Sequence, residues 1–510
     1  MRRTYAVIAA WTLLALLVIP VYPHFVSPNE VTRWLLAAAL VEDGSVEVSR
    51  FVPLVGPRFD DLAIKDGRTY SNKAPGLALL SLPGYLALRP SVGEPSPFNL
   101  RPVLTAMRLF GATLPLVLLA LLFVRVAREA NVSDERSAFV VCLLLFATPL
   151  FVYGLLLFSH ALVAAALFGA WVCLFGLREP RDLLGGALIG LAVASEYPAI
   201  APAAALVMAL LTTRDWRRVT RVVLAGLPFA VALGLYHFTA YGSPFTLPSH
   251  YEKVAEYRAI GSTGLFGIHL PSPMTLLSLL FDPARGLLVF SPVVVLAIPA
   301  FVSLRQKLAA RAWWTLVLVP AATLLFYAGY ANWHGGWNVG PRYLVPMLPF
   351  LMAAMLLGGR RWPRAEALLA GWSVLAVVGT SLVFPFPPNA FAFPWMTFSA
   401  PLLGRGLVTP NVFHLLARPL AIAIPFLLVI AATGFALRRS ALYAIIGALA
   451  AIAIGAQGER LAPRPLLALQ RAYVAEVYFE KRGSLPVESP PGLIRRRELE
   501  LTLPPAPWPF

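Results

Sequence analysis

Apolar runs of roughly 15 to 25 residues recur along this 510-residue chain, with short clusters of arginine between them. Each run can cross or nearly cross a hydrocarbon layer about 30 Å thick. Inside such a layer every backbone N–H and C=O needs a partner within the protein, so only helices or closed barrels span it. The runs are continuous rather than alternating, which argues against a barrel. Hydrophobic residues make up 58% of the chain and charged residues 13%, about half the charged share of a soluble domain. The fold class is therefore all-α and polytopic. Two cysteines, Cys142 and Cys173, fall inside apolar runs and offer no disulfide framework.

A net charge of +17 would suit nucleic acid if it were spread over a polar face. Here the basic residues sit in short loops: Arg2-Arg3, Arg125/Arg128/Arg136, Arg178/Arg181, Arg214/Arg217/Arg218/Arg221, Arg305/Lys307/Arg311, Arg360/Arg361/Arg364 and Arg438/Arg439. With every cluster on the cytoplasmic side, the runs between them pair as out-and-back crossings. This predicts helices near 5–26, 102–124, 138–158, 160–177, 183–196, 198–212, 221–241, 286–304, 312–330, 342–358, 365–385, 416–437 and 440–457. That is about thirteen spans, each held to the length rule. The first run starts like a signal peptide, but V-Y-P-H-F-V-S-P-N lacks a small-residue cleavage pattern, so it reads as a retained helix. Gly76 to Leu88 is short for a span and reads as a re-entrant or interfacial helix. Pro198 and Pro202 divide the stretch from Leu183 to Leu211 into two short helices.

The opposite face then receives a large first outer loop, 27–101, with further outer loops at 242–285 and 386–415. A tail at 458–510 follows the membrane region 1–457. Ionisable groups at the mouth of an apolar bundle are expensive to dehydrate and mark sites more often than padding. Glu30 opens a helical pattern that Asn29 is placed to cap and Asp43-Gly44 to stop. Trp34, Leu35, Ala38 and Val41 share one side, which predicts a helix lying along the membrane surface. Glu30 reads either as a favourable first-turn acid or as a general base. Asp60 and Asp61 are adjacent and point opposite ways in an extended segment, so at most one faces a site. Asp66-Gly67 marks a hairpin. Lys73, in Y-S-N-K-A-P-G, suits either a lipid phosphate or ordinary snorkelling.

In Y-A-N-W-H-G-G-W-N-V-G-P-R-Y-L-V-P, three glycines bring backbone close to something and Arg342 opens the next span. A helix start favours acids rather than arginine, so Arg342 is better explained by a phosphate oxygen pair. His334 reads as an interface residue or an acid or base. Glu196, in A-S-E-Y-P, is a second carboxylate at an outer helix end, and Asp282 and Arg285 can pair with each other. No H-E-x-x-H, Cys/His cluster, P-loop or G-x-S-x-G occurs, so metal hydrolysis, nucleotide motors and serine chemistry have no support.

Three features together resemble a known family: the acid-bearing first outer loop, D-L-A-I-K-D-G-R-T-Y-S-N-K-A-P-G, and W-H-G-G-W-N-V-G-P-R-Y-L-V-P-M-L-P-F. They are similar to bacterial relatives of protein O-mannosyltransferases, the polyprenyl-phosphate-dependent glycosyltransferases of the GT-C superfamily. In that family the first outer loop carries a carboxylate base, commonly as Asp-Glu just after the first helix. This chain has Asn29-Glu30 there, so the resemblance leaves Glu30 or Asp61 as the base. It implies a hexosyl- or pentosyltransferase working by one inverting displacement, with Lys73 and Arg342 holding the leaving lipid phosphate. Glu196, His334, Tyr70 and Tyr343 are further cavity candidates. The implied partners are a polyprenyl-phosphate-linked sugar donor, a glycan, lipid or protein acceptor and the bilayer, with no nucleic acid. No cofactor is required by the resemblance, although some relatives use a divalent metal. The implied location is the bacterial cytoplasmic membrane, N-terminus cytoplasmic and active site extracytoplasmic. A transporter or flippase of lipid-linked sugars, or a non-catalytic assembly protein, are the competing readings.

Overall fold

In a computed structural model the chain is described from residue 1 to 480, apart from 23–24, 56–59, 97–98, 177–178, 360–361 and 416. Arg178, Arg360, Arg361 and the tail beyond 480 lie outside the described residues. The helices that frame the molecule are α1 (Arg2–Val18), α2 (Pro28–Ala38), α3 (Gly76–Val92), α4 (Leu100–Glu129) and α5 (Asp134–Phe146). They continue with α6 (Ser159–Gly176), α7 (Asp182–Ser195), α8 (Tyr197–Leu211), α9 (Trp216–Tyr241), α10 (Pro292–Leu304) and α11 (Ala310–Ala328). The last are α12 (Arg342–Gly358), α13 (Pro363–Val383), α14 (Arg418–Leu437), α15 (Ala441–Gly455) and α16 (Arg464–Val474).

Among the described residues six stretches are long and apolar enough to cross a membrane: α4, α6, α9, α11, α13 and Pro419–Arg460, which joins α14 to α15 through Arg438–Ser440. Four shorter apolar helices, α7, α8, α10 and α12, accompany them. This is an integral membrane protein, although the length criterion does not reach the expected thirteen spans. The break expected before Pro198 separates α7 from α8 at Glu196, whereas Pro202 lies inside α8 and does not break it. Helix α6 lies at the centre and α9 at the periphery, since 83% of the apolar window is buried in the first and 11% in the second. Large side chains fill the middle: Trp11, Phe123, Phe168, Trp171 and Phe350 are all buried, with Phe123 stacked on Phe168. Both cysteines are buried and free. Gly371 of α13 and Gly447 of α15 let these helices meet backbone to backbone. A Cβ at Gly371 would strike the Ala444 carbonyl, and one at Gly447 the Leu368 carbonyl.

Two local expectations change. Helix α2 begins at Pro28 rather than at Glu30, with Ser27 preceding it and no side-chain cap; the Asn29 carbonyl group of the side chain accepts from Arg33 instead. Nor does α2 present an exposed polar face. Every residue from Asn29 to Ala38 is buried, because α3, the hairpin and the N-terminus of α6 enclose it. The hairpin forms where the sequence places it. Strands β1 (Leu62–Lys65) and β2 (Arg68–Ser71) pair antiparallel, and Asp66 and Gly67 both have positive φ as the tight turn requires.

Candidate active site

The hairpin is the platform of the site. Ser71, at its end, is fully buried: its carbonyl accepts from the Tyr236 and Tyr241 hydroxyls at 3.1 and 2.9 Å, and its Oγ accepts from Thr32 at 2.9 Å. Pinned this way, the next two residues, Asn72 and Lys73, turn into a cavity of about 640 Å³. Lys73 Nζ lies 3.1 Å from Asp61 Oδ1. Burial would raise the Asp61 pKa, but Lys73 and then Arg342 outweigh it and hold the carboxyl below its ordinary value.

The second outer loop joins the hairpin by strand pairing. Glu252 bridges Ala63, and Lys253 donates its backbone N–H to the Leu62 carbonyl at 2.8 Å. This delivers the Glu252 carboxyl to the same cavity, where Asn72 Nδ2 holds its two oxygens at 3.1 and 2.9 Å. Desolvation raises the Glu252 pKa to about 7; Lys73 and Asn72 oppose the rise and Asp61 adds to it. The cavity thus holds two carboxylates with pKa values pushed apart, the pattern that separates proton-handling roles.

The third contribution comes from the glycine-rich turn before α12. Gly335, Gly336 and Gly340 all have positive φ, and a Cβ on Gly335 would meet Arg342 Nε at 2.8 Å. The turn closes over the guanidinium because glycine is there. Arg342 packs on the rings of Tyr343 and Phe158, donates to the Tyr343 hydroxyl at 3.1 Å, and keeps a buried Nε without a partner. No carboxylate pairs with it among the described residues. Arg285 is not paired side chain to side chain with Asp282; it donates to the carbonyls of His334 and Gly336 and braces the turn. His334 lines the cavity, and its Nδ1 accepts from the Gly336 N–H at 3.1 Å. Its ring opens to the cavity, yet desolvation by the wall, then the Arg285 and Arg342 charges, push its pKa down to about 3. It is neutral at physiological pH.

The structure therefore brings Asp61, Lys73, Arg342, His334 and Tyr343 to one cavity. It does not bring the other three expected residues there. Glu30 is sealed: Arg108 grips both carboxylate oxygens at 2.7 Å, and the Leu157 N–H adds a third bond at 2.7 Å. With no exposure and three strong bonds to its carboxylate, Glu30 anchors α2 to α4 and to the segment just before α6. Tyr70 points into the hairpin core, edge-on to Tyr241. Glu196 lies beneath the floor, 3.1 Å from His160 Nδ1 and accepting from Ser159 at 2.8 Å, while His160 packs edge-on against Tyr343. Its influence on the cavity is indirect. Glu252 carries no motif in the sequence, its only local signal being an acid among aromatics in an outer loop. The start of the tail also contributes, with Leu461, Leu466 and Tyr478 folding back to line the cavity. Among the described residues no group of three or more His, Cys, Asp or Glu forms a metal-ligand cluster.

Neither a known family model nor a curated protein matches the sequence. Among solved structures, ArnT from Cupriavidus metallidurans bound to undecaprenyl phosphate superposes with a TM-score of 0.50 at 16% identity, over 93% of this chain and 78% of that one. The chain shares the fold of that ArnT structure. Two further structures are more distant. Arabinosyltransferase EmbB from Mycobacterium smegmatis has a TM-score of 0.40 at 12% identity, covering 91% of this chain and 41% of that one. The archaeal oligosaccharyltransferase AglB from Archaeoglobus fulgidus, in complex with an inhibitory peptide and a dolichol-phosphate, has 0.41 at 11%, covering 99% and 61%.

Proposed function

We propose that this protein is a membrane glycosyltransferase that moves a sugar from a polyprenyl-phosphate donor to an acceptor hydroxyl at the outer side of the bacterial cytoplasmic membrane. The observation that carries the reading is the meeting of Lys73 and Arg342, from distant parts of the chain, on one aromatic-walled cavity that also holds carboxylates. Arg342, half-buried and with one side-chain hydrogen bond to the neighbouring Tyr343, and Lys73, paired once, leave donors for phosphate oxygens. The fold it shares with ArnT, whose solved structure contains undecaprenyl phosphate, agrees with a lipid-phosphate ligand.

In the proposed displacement the acceptor oxygen forms a bond to the anomeric carbon as the bond from that carbon to the phosphate oxygen breaks, with inversion. The acceptor proton passes to a cavity carboxylate. The polyprenyl phosphate leaves as an anion, its developing charge held by Lys73 and Arg342. Of the two acids expected as base, Asp61 faces the cavity and is the one proposed. A second reading gives the proton to Glu252, whose pKa of about 7 suits general-base work near neutrality better than a carboxyl tied to a lysine.

The test is transfer of labelled sugar from polyprenyl-phosphate donors to envelope acceptors by the purified protein. Arg342→Lys keeps the charge and loses the planar fork, so donor use should fall by about tenfold or more, the equivalent of one charge-assisted hydrogen bond. Absence of transfer from every lipid-phosphate donor tried would remove the enzyme reading.

A further inference from the structure

At the opposite end of the bundle lies a second cavity of about 470 Å³ that takes no part in the chemistry above. It opens where α1 begins, α5 begins, α12 ends and α14 turns into α15. Its rim carries Arg3, Arg136, Arg438 and Arg439 against one carboxylate, Glu135, among the described residues. That glutamate is already shared, at 3.9 Å from Arg3 and 3.0 Å from Arg439. Arg136 is turned inward, bonded to Glu366 and to the carbonyls of Met355 and Gly359, and fixes the shape of the wall. Arg438 has no ionic partner among the described residues. Below the rim the wall is apolar, formed by Phe139, Leu356, Leu357 and Phe435.

An excess of positive charge above an apolar slot between helices fits an amphiphilic anion rather than a small soluble one. The arginines supply donors to a phosphate, and the slot removes an acyl chain from water. Basic pockets between membrane helices are suited to anionic headgroups in this way. We propose that this cavity binds an anionic phospholipid, its phosphate between Arg438, Arg439 and Arg3 and its acyl chain against Phe139, Leu356 and Phe435. Such a lipid would tie the start of α1 and α5 to the α14–α15 turn, which no buried ion pair in the described structure does. The inference does not depend on the glycosyltransferase reading.

The experiment is native mass spectrometry and thermal unfolding of the detergent-purified protein with phosphatidylglycerol, phosphatidylcholine or inorganic phosphate. Phosphatidylglycerol should remain bound and raise the unfolding midpoint, whereas phosphatidylcholine should do neither. R438Q/R439Q, which alters two exposed side chains, should weaken phosphatidylglycerol binding by at least about tenfold, since each basic residue contributes measurably to such binding. Leu357→Trp fills the slot without changing charge and should also reduce binding. Equal binding of both lipids, or undiminished phosphatidylglycerol in both variants, overturns the site. Inorganic phosphate that reproduces the midpoint shift and displaces the lipid overturns the lipid assignment in favour of a soluble phosphate.

Discussion

At the scale of single residues, the cavity separates two acids by their surroundings. Asp61 is held ionised by Lys73 and Arg342, while Glu252 is desolvated and titrates at about 7. The two make opposite contributions to the pH dependence of stability. For Glu252 the folded pKa lies above the ordinary 4.5, so its contribution is fully present below about 4.5 and is lost as pH rises through about 7. For Asp61 the folded pKa lies below 3.8, so its contribution is present above that value and lost as pH falls through the folded one. Glu252→Gln should therefore flatten the decline in thermal stability between pH 5 and 8, and a melting series at fixed ionic strength reads it. In the transferase assay, a proton acceptor at Glu252 requires activity to rise with pH through about 7, with a loss of roughly 10²–10⁴-fold in Glu252→Gln. If instead Asp61→Asn shows that loss and Glu252→Gln only a small one, the proton goes to Asp61.

At the scale of elements, the pair Glu30–Arg108 decides how α2 is held. Both side chains are buried, and Arg108 also donates to the Pro20 carbonyl. Removing one partner leaves a buried charge uncompensated, which costs about 3–5 kcal/mol. Glu30→Gln should thus lower the unfolding midpoint and the yield of folded protein, and Glu30→Leu combined with Arg108→Met should recover much of the loss. A Glu30→Gln protein of wild-type stability with no transferase activity would return this residue to the catalytic set. The hairpin matters for a different reason. It is the edge to which Glu252 pairs, so Gly67→Val, which opposes a positive φ, should impair transfer through misplacement of Lys73 and Glu252 together.

For the whole molecule, Arg3, Arg136, Arg438 and Arg439 line a cavity at the other end of the bundle from Asp61, and cysteine labelling checks which end is outside. A cysteine at position 61 should react with an impermeant reagent added to intact cells, and one at position 217 should not; reaction at 217 would reverse the orientation. The helical membrane class was set by sequence alone, because long apolar runs leave the backbone no partner except itself. The tight turn at Asp66-Gly67 and the break before Pro198 were equally local, since φ preferences are written in the residue and its neighbour. The fate of an acid was not. Glu30 and Asp61 both look like bases in a loop after the first helix, and only packing shows that one meets Arg108 from α4 while the other faces a cavity. Glu252 enters that cavity through backbone pairing between two loops far apart in the chain, a contact with no local signature. The role of an ionisable group depends on which charges and how much water surround it, and that surrounding exists only after the helices have packed.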